Sequence, residues 1–475
     1  MFKFMLNDAI GYVRNNVRDI SLNALRLLPH LPQLSPYDVN LVLRENEFIF
    51  NFPLDGVIHS YETNQLGSNT PCEDSRTEAS LLFRNGFICG IFDGHGGAAC
   101  GQVVSKRLLR YISAATLPRQ VLKDKMQKGC TSQSFLKCHN DNADFVNEIK
   151  PIYEHSFNKY ITELIKEPQR DVTSELQHAF VHLDESLAQE ALATHDVRTM
   201  GVALSGAVAC LVHLEGLQLH VASTGDCGAV LGILDPVTNQ WQPKKLNTEH
   251  NADNMQEVQR ILDEHPKEER DTIIRNGRLL SQLAPLRAFG DYRYKWSVET
   301  LQQQVVPMFG EHMMPPHYFT PPYLTARPDV QHHELDVNDK FLVIASDGLW
   351  DFLSPSEVVS LVGQHVNSKK IQEPMRLENG DVTLQEISDK LAERKAGLNR
   401  KPIDSNAATH LIRHALGGTD YGIEHSKISY YLSLPKDVVR LYRDDITITV
   451  IYFNSDHIAK LKKDEKGISS KVTGA

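Results

Sequence analysis

Apolar residues in this chain gather in short runs that read as strands, and four of those runs carry aspartate at one end. They are Ile91-Phe92-Asp93-Gly94-His95, Ser223-Thr224-Gly225-Asp226, Ile344-Ala345-Ser346-Asp347-Gly348 and Arg443-Asp444-Asp445-Ile446-Thr447-Ile448. The first three aspartates follow their run, whereas Asp444 and Asp445 precede theirs. A parallel doubly wound sheet collects only the carboxyl ends of strands at its ligand-bearing edge, so mixed polarity argues for antiparallel pairing. A hairpin signal agrees: residues 206–214 meet 217–222 across Glu215-Gly216, a two-residue connection containing glycine.

Elsewhere the apolar spacing changes to the helical period. Val103, Val104, Leu108, Leu109 and Ile112 share one face of a helix predicted over 97–117. Leu176, Phe180, Leu183, Leu187 and Leu192 do the same over 174–194, with Ser174 as the N-cap. A lead-in helix and strand are predicted between residues 36 and 52, and a further helix over 405–416. Three stretches interrupt the pattern as insertions. Residues 118–174 are polar and partly helical, and residues 367–404 are polar. Residues 299–328 contain Pro307, Pro315, Pro316, Pro321, Pro322 and Pro328, which forbid a continuous helix.

A strand that delivers a carboxylate to its own end is placing a metal ligand. Several doing so imply one site with hard oxygen ligands, the coordination preferred by Mg²⁺ or Mn²⁺. Length alone would divide 475 residues into several domains. The acids overrule that division, because Glu73 and Asp445 must meet in one site, so residues 34–455 form one catalytic domain with insertions. Residues 1–33 set Lys3, Arg14, Arg18 and Arg26 among apolar residues, which permits an amphipathic targeting segment, although Asp8 and Asp19 weigh against it. Residues 456–475 read as a polar tail.

A net charge of -10 and the lack of a long basic run give no footprint for nucleic acid. No stretch reaches the roughly 18 consecutive apolar residues of a membrane span. The seven cysteines contain no C-x-x-C, and an odd number lying in or beside apolar runs reads as reduced thiols of an intracellular protein.

Gly94, Gly96 and Ala99 match a dinucleotide fingerprint, but the acid expected about 20 residues later to hold a ribose is missing, and Asp93 would oppose a pyrophosphate. Asp93-Gly94-His95 makes better sense as a metal corner: Asp93 bridges cations, Gly94 lets a backbone carbonyl approach, and His95 exchanges a proton at the reaction centre. His178 and His182 have the spacing of a zinc pair without a neighbouring glutamate, and Cys130 with Cys138-His139 fits no common zinc module. Both are read as ordinary residues.

In order along the chain stand Glu73-Asp74, Asp93-Gly94-His95-Gly96-Gly97, Ser205-Gly206-Ala207, Thr224-Gly225-Asp226, residues 287–291 (Arg-Ala-Phe-Gly-Asp), residues 346–351 (Ser-Asp-Gly-Leu-Trp-Asp) and Asp444-Asp445-Ile446-Thr447. This set resembles the metal-dependent type 2C family of protein serine/threonine phosphatases. The resemblance implies an α+β fold, a four-layer α-β-β-α sandwich of two antiparallel sheets flanked by helices. It implies Asp93 as the bridging ligand of a two-metal centre, with the carbonyl of Gly94 on one ion and Asp347 and Asp444 on the other. Glu73 and Asp74 look like residues that hold metal-bound waters, and His95 matches the general acid. Asp226 and Asp351, with Asp347 shared, match a weaker third metal position.

Within the family, residues 34–40, 60–74, 406–415 and 441–448 look like the mitochondrial subgroup that acts on pyruvate dehydrogenase. That likeness implies a matrix enzyme whose substrate is phosphorylated pyruvate dehydrogenase. It also implies the lipoyl domain of the acetyltransferase core and a regulatory subunit as partners, with Ca²⁺ at a partner interface. The alternatives are phosphatase action on another matrix phosphoprotein such as branched-chain ketoacid dehydrogenase, and a non-catalytic scaffold on the same fold. Asp141-Asn142-Ala143-Asp144 lacks the glycine and terminal glutamate of an EF-hand loop. One departure stands near the substrate: the family has arginine four residues before its Glu-Asp pair, and here that position is Asn69, which cannot supply the charge.

Overall fold

The computed structural model describes residues 33–139, 145–372 and 403–472, with scattered positions between 383 and 392. The region of the targeting segment and most of the 367–404 insertion lie outside the described residues.

The lead-in is a helix, α1 (Pro36–Arg44), capped by the Ser35 hydroxyl and the Asp38 carboxylate, followed by strand β1 (Phe48–Asn51). Then come β2 (Ile58–Leu66), β3 (Ser75–Leu81), β4 (Gly86–His95), α2 (Ala99–Thr116), α3 (Arg119–Gln127), β5 (Leu136–Cys138), α4 (Lys150–Lys166), α5 (Val172–Thr194) and α6 (Val197–Leu204). The middle of the chain supplies β6 (Gly206–Glu215), β7 (Gln218–Thr224), β8 (Gly228–Leu234), β9 (Trp241–Lys245), α7 (Met255–Glu264), β10 (Asp329–Glu334) and β11 (Asp339–Ala345). The remainder is α8 (Pro355–Gln372), α9 (Ala407–Gly417), α10 (His425–Ser433), β12 (Ile446–Phe453) and α11 (Ser455–Val472).

One sheet has the order β1-β2-β12-β11-β8-β9 and the other β10-β7-β6-β4-β3-β5, with Phe289–Gly290 added beside the start of β6. Neighbouring strands pair antiparallel throughout, as the mixed aspartate polarity required. Helices α2 and α5 cover the second sheet, while α8 and α9 cover the first, which makes the four-layer sandwich. Strand β11 shows why its run Phe341–Ala345 is apolar at every position. Leu342 and Ile344 enter the larger core, Phe341, Val343 and Ala345 the smaller one under α8 and α9. A strand covered on both faces has no polar side to alternate with, and each of these side chains larger than alanine contributes about 1.5–3 kcal/mol by its burial.

Several expected boundaries shift. The β6–β7 hairpin pairs Glu215 with Gln218, so its two loop residues are Gly216 and Leu217. Gly216 takes a φ of 58°, which glycine alone adopts without cost. Helix α5 starts earlier than expected, with Asp171 as N-cap accepting from the Ser174 amide at 2.9 Å; Ser174 lies inside the first turn. The 118–174 insertion is more structured than its polarity suggested: it adds β5 to the sheet edge and buries Tyr153, Phe157, Tyr160, Ile161 and Leu164 of α4. The proline-bearing stretch begins with short helical turns over 298–309 before its irregular segment. The segment expected as a polar tail continues α11 to Val472.

Candidate metal centre

The carboxylates meet where strand ends of both sheets converge. Asp93 is near the end of β4, Asp226 lies two residues beyond β7, Asp347 two beyond β11, and Asp444 two before β12. All four are partly exposed, whereas Asp74 and Asp445 are buried. This difference separates residues that face the cleft from residues that build its wall.

Asp445 is wall. Its carboxylate accepts from the backbone amides of Ser68, Asn69 and Glu73 and from the Asn69 side-chain amide at 2.8 Å. Opposed by burial, those donors still hold it below the usual carboxylate range. Its oxygens are fully engaged in tying the 68–73 turn to β12, which leaves Asp444 as the member of the pair turned to the cleft. Asn69 is turned to the same acids, with its amide also 3.3 Å from Asp444 Oδ1.

Glu73 is anchored at both oxygens, by the Gly97 amide at 2.8 Å and by Arg440 Nη1 at 2.7 Å. Its backbone carbonyl accepts from the Gly94 amide at 3.2 Å. A Cβ at position 94 would stand 2.6 Å from that carbonyl, so only glycine lets β4 end against the Glu73 turn. Asp74 accepts from the Ser346 hydroxyl at 2.7 Å through one oxygen; the other is buried with no protein partner.

These acids strain one another. Burial, then the charges of Asp74, Asp347, Asp226 and Asp444, push Asp93 well above the ordinary carboxylate range. Burial, then Asp226, Asp444, Asp351 and Asp74, do the same to Asp347. Asp226 is raised by burial against the opposing pull of His95, and Asp74 is pushed up to about 7, by burial first and by Asp445 next among the charges. Asp347 Oδ1 is also buried without a protein partner. Unsatisfied carboxylate oxygens that repel one another fit a hard divalent cation, and an all-oxygen donor set fits Mg²⁺ or Mn²⁺. Among the described residues, no three Asp, Glu, His or Cys side chains close on one point as a ready-made cage. Mg²⁺ does not demand one, because it dehydrates reluctantly and is bound through one or two carboxylates with water completing its shell.

His95 ends β4 opposite Gly206, and its Nε2 lies 2.5 Å from Asp291 Oδ2. Burial works against the imidazolium, but Asp291 outweighs it and raises the ring above the usual histidine value. Asp291 takes a left-handed φ of 52°. It is held there by its own amide on the Ser205 carbonyl at 2.9 Å, and by Asp184 of α5, which accepts from the Gly290 amide at 2.8 Å and pairs Lys295 at 2.7 Å. A Cβ on Gly206 would lie 2.1 Å from His95 Nε2, so the glycine makes room for the pair. Reading the sequence found the motif containing Asp291 but not its place behind His95, and it missed Arg440 altogether; neither is adjacent in sequence to what it touches.

His182 pairs Glu163 at 2.7 Å and stacks obliquely on Tyr160, and His139 bonds Tyr61 at 2.9 Å and stacks on Phe50. None of the seven cysteines, all among the described residues, forms a disulfide.

The protein phosphatase 2C family profile matches residues 145–396, a little over half of the chain. The chain belongs to the protein phosphatase 2C family. It is 39% identical over 461 residues to the mitochondrial pyruvate dehydrogenase (acetyl-transferring) phosphatase 1 of Bos taurus, covering 91% of this chain and 85% of that one. The human mitochondrial pyruvate dehydrogenase (acetyl-transferring) phosphatase 2 is also 39% identical, over 458 residues with the same coverages. The corresponding phosphatase 1 of Saccharomyces cerevisiae is 32% identical over 437 residues, covering 83% of this chain and 69% of that one. As a member of this family the chain is a protein phosphatase, a hydrolase.

Proposed function

We propose that this chain is a mitochondrial matrix phosphatase that removes phosphate from serines of pyruvate dehydrogenase and so reactivates the complex. The observation that carries the reading is the joint presence of the carboxylate cluster, with His95 raised by Asp291 beside it, and high-coverage similarity to relatives named for that substrate. In this reading Asp93, Asp347, Asp444 and the Gly94 carbonyl hold two Mg²⁺ or Mn²⁺ ions, and Glu73 and Asp74 hold their water shell. Asp226 and Asp351 belong to a weaker third position.

When bound, the cations supply a water nucleophile active at neutral pH and neutralise charge on the phosphoryl oxygens. His95 donates the proton that the departing seryl oxygen needs, and Asp291 keeps the imidazole protonated and aimed. The alkoxide of serine is a poor leaving group, so this proton is where the chain's own residues contribute most. The amide of Asn69 serves Asp444 and Asp445 and carries no charge for a phosphate group, so productive positioning of the phosphoserine relies on docking of the protein substrate. For docking, the subgroup resemblance supports the lipoyl domain of the acetyltransferase core, Ca²⁺ at that interface and a regulatory subunit.

Phosphate release should be measured from phosphorylated pyruvate dehydrogenase and branched-chain ketoacid dehydrogenase complexes in parallel. The reading predicts a clear preference in kcat/KM for the first. Equal or reversed preference would overturn the substrate, and no release from either with Mn²⁺ present would favour the non-catalytic scaffold.

A further inference from the structure

Away from the carboxylate cleft, three histidines stand side by side across three neighbouring strands. The register sets His213 of β6 opposite His220 of β7, and His220 opposite His332 of β10. Residues opposite one another in an antiparallel pair keep Cβ atoms about 4.5–5.5 Å apart on the same face. The rings follow, with centroids 6.1 Å apart for His213 and His220 and 4.7 Å apart for His220 and His332. All three line one cavity of about 580 Å³, which Glu215, Gln218 and the first residues of α5 complete.

The polar accounting there is unusual. His213 is only 1% exposed, and neither of its ring nitrogens has a hydrogen-bond partner. A buried imidazole normally satisfies at least one. His220 also has an unpartnered Nδ1. His332 Nε2 lies 2.6 Å from Gln218 Oε1, an atom that only accepts, so Nε2 carries the hydrogen and Nδ1 presents its lone pair. This is the arrangement by which an outer partner orients a metal-ligating histidine. Burial pushes His213 down to about 3 and His220 to about 4, so both rings are neutral and their lone pairs free at neutral pH. At the cavity wall Glu215 is already paired with Arg84 at 2.7 Å, and the carboxylate of Asp171, whose charge acts on His220, favours a cation over an anion.

We propose that His213, His220 and His332 form a second metal site, separate from the carboxylate centre, that takes an imidazole-preferring divalent transition metal, Zn²⁺ foremost. Imidazole suits Zn²⁺, whereas the carboxylate cleft suits Mg²⁺ or Mn²⁺, so the two sites sort cations by ligand chemistry. As they stand the rings do not converge to chelating distance, so binding requires rotation of the side chains to bring nitrogens to the roughly 2.0–2.1 Å of a zinc bond. His213 lies seven residues along β6 from Gly206, the neighbour of His95. At about 3.3 Å per residue that is roughly 23 Å from the catalytic pair, so occupancy and turnover can be read independently.

The test is Zn²⁺ binding to the full chain in a large excess of Mg²⁺, followed by calorimetry and by metal analysis after dialysis. The wild type should retain one Zn²⁺ equivalent. His332→Ala, at an exposed position, and His220→Gln should each weaken that binding by at least the roughly 10–100-fold that loss of an outer-shell partner costs. The Mn²⁺-supported phosphatase rate of His332→Ala should stay unchanged. With Cu²⁺ as probe, paramagnetic resonance should show nitrogen coupling that both variants reduce. A wild type that retains no Zn²⁺, as a water-satisfied histidine row would, overturns the site, as do folded variants that bind Zn²⁺ as tightly as the wild type.

Discussion

Asp291→Asn removes a charge from behind His95 while keeping the side chain's shape. The two groups meet at 2.5 Å, with 22% of the His95 side chain and 6% of the Asp291 side chain exposed, so solvent screens the contact little. A hydrogen bond to a charged partner is worth about 1.5–3 kcal/mol against about 1 for a neutral one. The substitution therefore withdraws roughly 0.5–2 kcal/mol from the protonated ring, and at about 1.36 kcal/mol per tenfold that is a loss of about 2–30-fold in kcat on a phosphoserine protein. Burial, no longer outweighed, then favours the neutral imidazole, so the alkaline limb of the rate profile should move to lower pH. Nitrophenol leaves readily as an anion and needs no proton, so kcat on p-nitrophenyl phosphate should fall far less. In a double-mutant cycle, adding Asp291→Asn to His95→Ala should cost almost nothing further. Equal losses on the two substrates, or fully additive losses in the cycle, would remove Asp291 from the role of positioning His95.

Three further outcomes follow from the geometry. Asp93→Asn keeps the shape of the β4 end but removes charge from the centre of the acid cluster, so calorimetry should show weaker Mn²⁺ binding and turnover should fall to a few per cent or less, with the circular dichroism spectrum unchanged. Glu190→Ala strands Arg107, which it grips through two bonds of 2.6 and 2.8 Å in the α2–α5 interface, and denaturant unfolding should register a loss of about 3–5 kcal/mol. Asp329 is held down to about 2, by the His250 contact first and by Arg287 next among the charges. A depressed acid stabilises the fold above its unfolded value and loses that contribution as pH falls through the folded one, here between about pH 4 and 2. With 39% of that side chain exposed, the effect is on the order of 1 kcal/mol. Acid unfolding of Asp329→Asn should lack this component, and a midpoint identical to that of the wild type would refute the assignment.

Sequence pattern by itself determined the elements that local chemistry dictates: strands that end within two residues of Asp93, Asp226 and Asp347, one that begins after Asp445, and helices whose apolar faces recur every three to four residues. Strand polarity was enough to require antiparallel sheets, because a carboxylate can reach a shared edge from either end only if neighbours run in opposite directions. Tertiary structure decided what depends on contacts between distant segments. Asp444 and Asp445 are chemically equivalent in sequence, and only the backbone amides of residues 68–73 make one of them wall and leave the other to the cleft. The hairpin register moved by one residue because Glu215 finds its ladder partner in Gln218, and glycine supplies the left-handed turn. The polar insertion after α2 hid a sheet strand and a buried helix, since their apolar positions are few and acquire meaning only against α2 and β3. Asp291 behind His95, Arg440 on Glu73 and His332 beside the β6–β7 hairpin are pairings between segments more than about 100 residues apart, and chain folding alone brings such groups within reach.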